Sequence, residues 1–256
     1  MKTSPIIPWM GGKRKLASRL IPKFPKHDCY VELFCGGAAL YFLNPEPAKV
    51  EVINDVDGEL INLYRVVQHH LEEFIKQFKW ALTSRTMFKW LKEAYCPGLT
   101  DIQRAARFYY LQQHAFGAKR VGQNFGYAPS GRPINLCRIE ENLSEAHIRL
   151  SGTYVEQLAW QDCFNRYDRE YTFFYADPPY FDTAGYSVDF GYDQYKDLAN
   201  IMSSSKGKVM VSLNDHEEMR NVFKDFRIES LDIKYSLTSK VSAKSKVSKE
   251  IVICNY

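Results

Sequence analysis

Five short runs of the chain are apolar almost without interruption: Cys29–Phe34, Val50–Asn54, Tyr154–Trp160, Tyr171–Ala176 and Lys208–Leu213, all rich in Val, Ile, Tyr and Phe. Runs of this length and composition predict strands buried on both faces, as in a parallel sheet. Amphipathic helical patterns follow most of them, at Ala38–Leu43, Gly58–His69, Gln194–Ser203 and Glu217–Lys224. Strand–helix alternation predicts an α/β fold with helices on both sides of a mostly parallel sheet. The end of the chain differs. Arg227–Tyr235 and Val247–Cys254 are joined by a Ser/Lys-rich turn and predict an antiparallel hairpin at a sheet edge. Between residues 71 and 150 the alternation breaks into helical patterns at Thr86–Tyr95, Asp101–Phe116 and Ile139–Leu150, with a Gly-, Lys-, Asn- and aromatic-rich stretch, Gly117–Asn135, between the last two. The expected organisation is one α/β domain, residues 1–70 and 151–256, interrupted at 71–150 by a mainly helical subdomain with an exposed polar loop.

Composition narrows the class only slightly. With 45% hydrophobic and 25% charged residues, the chain is not dominated by disorder. A net charge of +4 tolerates a polyanionic partner without requiring one. The six cysteines form no Cys-x-x-Cys pair and have no histidine cluster beside them, so no metal site is expected. No stretch approaches the roughly 20 apolar residues of a membrane span, and no apolar signal core opens the chain. A reducing, cytoplasmic setting is the expectation.

Two segments carry chemistry. At the end of the first predicted strand, Glu32-Leu33-Phe34-Cys35-Gly36-Gly37-Ala38-Ala39 places small residues where backbone can approach a ligand closely, and Asp55 ends the second strand, where an acid can accept ribose hydroxyls. That spacing fits nicotinamide dehydrogenases equally well. Asp177-Pro178-Pro179-Tyr180 then follows the fourth apolar run. The prolines stiffen the turn; the Asp177 carboxylate and the Pro178 carbonyl can accept hydrogen bonds from an amine, and Tyr180 offers a face for stacking a base. A carboxylate at such a rim is expected near the usual value of about 4.

These motifs, in this order, resemble the Dam-type DNA adenine methyltransferases, in which a cofactor motif precedes an inserted recognition domain and a catalytic motif follows it. Pro8-Trp9-Met10-Gly11-Gly12-Lys13 is similar to that family's opening Trp-x-Gly-Gly-Lys segment, Phe34-Cys35-Gly36-Gly37-Ala38 to its Phe-x-Gly-x-Gly loop, and Asn54-Asp55 to its ribose acid. Asp162 matches an acid before the catalytic strand, Asp177–Tyr180 the catalytic tetrapeptide, and Glu250-Ile251-Val252-Ile253-Cys254-Asn255-Tyr256 the closing strand. The resemblance implies a Rossmann-like class I methyltransferase fold and methyl transfer from S-adenosylmethionine to the exocyclic amine of adenine in double-stranded DNA, the target base being flipped out. It assigns Trp9, Lys13, Phe34, Gly36, Asp55, Asp162 and Asp177 to the cofactor, with Lys13 meeting the methionine carboxylate, and Asp177, Pro178 and Tyr180 to catalysis.

Two departures stand out. Ala38 occupies the place of the family's second glycine, which keeps backbone approach open if its φ is negative. The loop Lys119-Arg120-Val121-Gly122-Gln123-Asn124 does not match the hairpin that reads GATC, so the target sequence is not carried over. Lys119, Arg120, Gln123 and Asn124 have chemistry suited to phosphates and base edges, and Lys244 and Lys246 to phosphates; a solvated charged loop explains either segment equally. Methylation of another planar amine, of DNA cytosine, RNA adenine or a glutamine side chain, remains the alternative reading.

Overall fold

Alternation along each strand sorts the apolar residues onto two sheet faces, and both faces are covered. The computed structural model describes residues 3–126, 138–183, 190–234 and 247–256. Strands β1 (Cys29–Glu32), β2 (Val50–Asn54), β3 (Thr153–Glu156), β4 (Thr172–Ala176) and β5 (Lys208–Asn214) run parallel to one another. Strands β6 (Arg227–Lys234) and β7 (Val247–Cys254) form the antiparallel pair, with β7 lying between β5 and β6. The resulting order is β3-β2-β1-β4-β5-β7-β6.

On one face Val31, Val52, Phe174, Val211 and Ile253 pack under α8 (Trp160–Tyr167), α9 (Tyr192–Ser204) and α10 (Glu217–Val222). On the other, Tyr30, Ile53, Phe173, Tyr175 and Met210 share one apolar cluster with α2 (Ala39–Leu43) and α3 (Gly58–His69). Helices of the 71–150 stretch join this second cluster through Phe74, Phe88, Ala105, Tyr109, Leu143 and Leu150. They are α4 (Leu71–Lys76), α5 (Arg85–Glu93), α6 (Asp101–His114) and α7 (Ile139–Leu150). Ala105 and Ala106 on α6 are small enough to bring its axis close to α3, and a reciprocal Thr100–Gln103 capping box starts α6.

Sequence and structure differ in two places here. The third apolar run leaves the sheet after Glu156, because Asn54 captures Leu158: its Oδ1 accepts from the Leu158 N–H at 2.9 Å and its Nδ2 donates to the Leu158 carbonyl at 3.2 Å. Trp160 consequently opens α8 instead of closing a strand. Ala38 adopts φ +48°, ψ +43°, so it does not meet the expected condition of a negative φ. A left-handed alanine costs roughly 1–2 kcal/mol, which its complete burial helps offset.

The end of the 71–150 stretch is pinned to the sheet by a buried ion pair, Arg149 of α7 to Glu51 of β2 at 2.7 Å, with Arg149 also stacked over Tyr41. Removing one partner leaves an uncompensated buried charge. Arg149→Met should therefore lower the unfolding free energy in urea by about 3–5 kcal/mol, and adding Glu51→Leu should recover much of that loss.

Candidate active site

Strand order reverses between β1 and β4, so the chain leaves these two strands in opposite directions and opens a crevice at their carboxyl ends. A cavity of about 320 Å³ lies there, lined by the loop after β1, the end of β2, residues 158–161, Asp177–Pro179 and the segment Trp9–Lys13. Asn54 holds its floor, because its Nδ2 also donates to the Leu33 carbonyl at 3.0 Å and so ties the ends of β1 and β2 to residue 158. Gly36 is fixed from both sides: its N–H donates to Asp55 at 2.9 Å, and its carbonyl accepts from the Tyr64 hydroxyl at 2.7 Å.

The glycines are there for Trp9. A Cβ on Gly36 would lie 2.5 Å from Trp9 Nε1, and one on Gly37 would lie 2.9 Å from Trp9 Cβ. Gly36 also takes φ +47°, which disfavours any side chain. The strap carrying Trp9 is held by α6, whose Gln112 and Gln113 donate to the carbonyls of Pro8 and Ile6 at 2.9 and 2.8 Å.

Three carboxylates line this cavity, Asp55 and Glu32 on one side and Asp177 on the other. Asp55 accepts from Gly36 and from the Asp57 N–H, yet burial dominates and raises it to about 6. Glu32, which the sequence reading assigned no role, is the second. It accepts from the Tyr30 hydroxyl and the Tyr41 N–H, and burial raises it to about 8. Its signal in the sequence was a charged residue inside an otherwise apolar strand. Phe34, Trp160 and Phe190 supply an aromatic wall, with ring centroids 5.5–6.1 Å from Phe34.

Asp177 closes β4 on the opposite wall. It is largely buried, not a solvated rim group as expected, and burial raises its carboxyl above the ordinary range despite Lys13 and Ser212. Lys13 is 3% exposed and donates to Asp177 Oδ1 at 2.5 Å and to the Tyr180 hydroxyl at 2.8 Å. It therefore meets Asp177 in this structure, where the resemblance had implied the methionine carboxylate. Ser212 donates to the same Asp177 oxygen at 3.1 Å. Tyr180 donates in turn to Glu250 at 2.5 Å, and Lys13 covers one ring face at 4.7 Å. Tyr180 itself is absent from the cavity lining. Asn214 clamps the end of this turn by bonding both the N–H and the carbonyl of Phe181.

The remaining expected residues fare differently. Asp162 stands exposed on the first turn of α8, outside the cavity lining, where Trp160 and Gln161 take the wall. Arg120 forms a two-point ion pair with Asp57 and stacks over Phe108, so it is committed internally. Gln123 is buried against Gln112. Lys119 and Asn124 are exposed, on a loop closed by an antiparallel bridge between Ala115 and Phe125. Lys244 and Lys246 lie outside the described residues.

A glycine loop after β1, an acid after β2 and Asp-Pro-Pro-Tyr after β4, on this strand order, define a class I methyltransferase. Residues 9–237 match the profile of the D12 class N6 adenine-specific DNA methyltransferases, and the chain belongs to that family. It is similar to the type II methyltransferase M.CviBI of Paramecium bursaria Chlorella virus NC1A (28% identical, covering 90% of each chain). It is also similar to the type II methyltransferase M1.LlaDCHI of Lactococcus lactis subsp. cremoris (29%, covering 98% of this chain and 95% of that one) and to the DNA adenine methylase of Salmonella typhi (23%, 98% and 95%). The chain is thus a site-specific DNA adenine methyltransferase.

The Trp9 contact can be measured directly. Gly36→Ala meets both backbone strain and the indole ring, whereas Gly117→Ala, at φ +67° with nothing within 4 Å, meets strain alone. Thermal unfolding should show Gly117→Ala losing no more than about 1–2 kcal/mol and Gly36→Ala losing clearly more.

Proposed function

We propose that the cavity binds S-adenosylmethionine and that Asp177, with the Pro178 carbonyl, receives the amine of an adenine flipped out of duplex DNA. The observation that carries this reading is that Asp177 lines the same cavity as Asp55 and Glu32, across the reversal point of the sheet. The donor set fits the cofactor. Asp55 retains acceptor capacity for ribose hydroxyls, Glu32 is a carboxylate for an α-ammonium group, the aromatic wall suits an adenine ring, and the Gly36–Gly37 cradle leaves room that a side chain would fill. When bound, the cofactor supplies an electrophilic methyl group on a sulfonium.

The protein's own contribution is orientation and charge. Two acceptors fixed by a Pro-Pro turn hold the amine nitrogen with its lone pair directed into the cavity, and they favour the positive charge that grows on that nitrogen. Fixing them beforehand avoids reorganisation during the reaction. Asp177, raised by burial, is also a competent acceptor for the proton that the nitrogen sheds. Tyr180, backed by Lys13 on one face, supplies its other face for stacking the base. Of the four polar candidates in the 119–124 loop, Lys119 and Asn124 are exposed and left to contact DNA.

Two measurements test this. Asp177→Asn keeps the shape of the side chain but removes its charge; single-turnover methylation should fall about a hundredfold to a thousandfold while cofactor affinity holds. Near-normal turnover would overturn the assignment. Calorimetry across pH tests Asp55. Ribose hydroxyls need its ionised form, and its carboxyl sits at about 6 in the free protein. The wild type's cofactor affinity should therefore fall, relative to that of Asp55→Asn, as pH drops through about 6, while any dependence from Glu32, raised to about 8, is common to both.

A further inference from the structure

The carboxylate that must receive the adenine amine is already paired with Lys13 through one of its oxygens. Asp177 Oδ1 accepts from Lys13 at 2.5 Å and from Ser212 at 3.1 Å. A buried ammonium cannot simply withdraw, since leaving it unpaired in a dry site is strongly unfavourable. A second seat lies beside it. Glu250 is 1% exposed, and its Oε2 is buried with no hydrogen-bond partner among the described residues. That oxygen is 3.9 Å from Lys13 Nζ. A bare carboxylate oxygen away from water is costly, so it favours any donor that reaches it.

We propose that Glu250 is a positioning residue that takes over the Lys13 ammonium when the adenine amine arrives, leaving Asp177 charged and open to the substrate. The displacement needed is about 1 Å, the gap between 3.9 Å and an ordinary hydrogen bond. Tyr180 serves as the pivot, because its hydroxyl accepts from Lys13 and donates to Glu250 Oε1, keeping both partners in place during the exchange. Topology puts Glu250 there. Strand β7 runs against its neighbours, so its early residues fall at the carboxyl edge of the parallel strands, with Glu250 registered against Asn214 at the end of β5. Other ionisable groups acting on this cluster are Glu32, from the end of β1, and Tyr175, one turn of the pleat before Asp177.

This inference rests on Asp177 as the acceptor of the amine, which Asp177→Asn tests separately. Its own test is a double-mutant cycle of single-turnover methylation at saturating cofactor and DNA, using Glu250→Gln, Lys13→Met and both together. Glu250→Gln should slow methylation about 10- to 100-fold in the wild-type background, and by less than about twofold when Lys13 is already Met. Glu250→Asp, which keeps the carboxylate, should restore part of the lost rate. Equal slowing in both backgrounds, or no slowing at all, would overturn the proposal. A second measurement does not depend on the variants folding: a crystal structure of the wild-type protein with S-adenosylhomocysteine and a duplex containing the target adenine. Lys13 hydrogen-bonded to Glu250 beside an adenine amine on Asp177 supports the exchange. Lys13 still on Asp177 with that amine bound refutes it, and an adenine bound elsewhere refutes the site assignment instead.

Discussion

One buried ammonium shared between two buried carboxylates holds the active site together. Lys13, Asp177 and Glu250 come from the opening strap, the end of β4 and the start of the last core strand, and none is well solvated. Burial raises both carboxyls, because a single positive charge cannot fully compensate two negative ones in a dry environment. Holding Lys13 there also fixes the strap around it, and with it Trp9 over Gly36 and Gly37. The cavity wall and Asp177 are therefore positioned by the same charge cluster, so a change at either is expected to be felt at both.

The sheet explains why such distant parts of the chain meet. Parallel strands deliver every loop of chemical interest to one edge, and the reversal between β1 and β4 opens that edge. The antiparallel β7 adds a contribution that a wholly parallel sheet could not make, since it brings a residue from the beginning of a strand to the same edge. Asn54 and Asn214 finish the arrangement. Each uses one side-chain amide to join loop to loop, and between them they fix the floor of the cavity and the turn after Asp177.

The strands were largely legible because a run buried on both faces has no polar alternation to confuse it, and Val50–Asn54 and Gly58–His69 coincide with the structure residue for residue. The start of α8 was hidden for the same reason. Residues 154–160 are apolar enough to read as a strand, and only the long-range capture of Leu158 by Asn54 ends it. Motif order brought Trp9, Phe34, Gly36, Asp55 and Asp177 to one cavity, since backbone geometry at a sheet edge is a local property. The partners of charged side chains were not legible. The resemblance gave Lys13 to a methionine carboxylate, and nothing nearby in sequence shows that Asp177 and Glu250 enclose it.

Arg120 shows what such a misreading can conceal. A cation in a Gly-rich polar loop has the chemistry of a phosphate or guanine contact, yet here it binds Asp57 through two nitrogens. Asp57 caps the start of α3 through the N–H groups of Glu59 and Leu60, and its own N–H donates to Asp55. The ion pair thus runs from the 119–124 loop, through the α3 cap, to the Asp55 carboxylate at the cavity. Gln112 extends the same linkage on the other side, since its amide bonds both Ala118 before that loop and Pro8 in the Trp9 strap. A loop anchored at both places cannot shift without pulling on Asp55 or on Trp9. Contacts made by its exposed Lys119 and Asn124 are therefore mechanically tied to the cavity, and the residue that resembled a reader of DNA is the strut through which that tie is made.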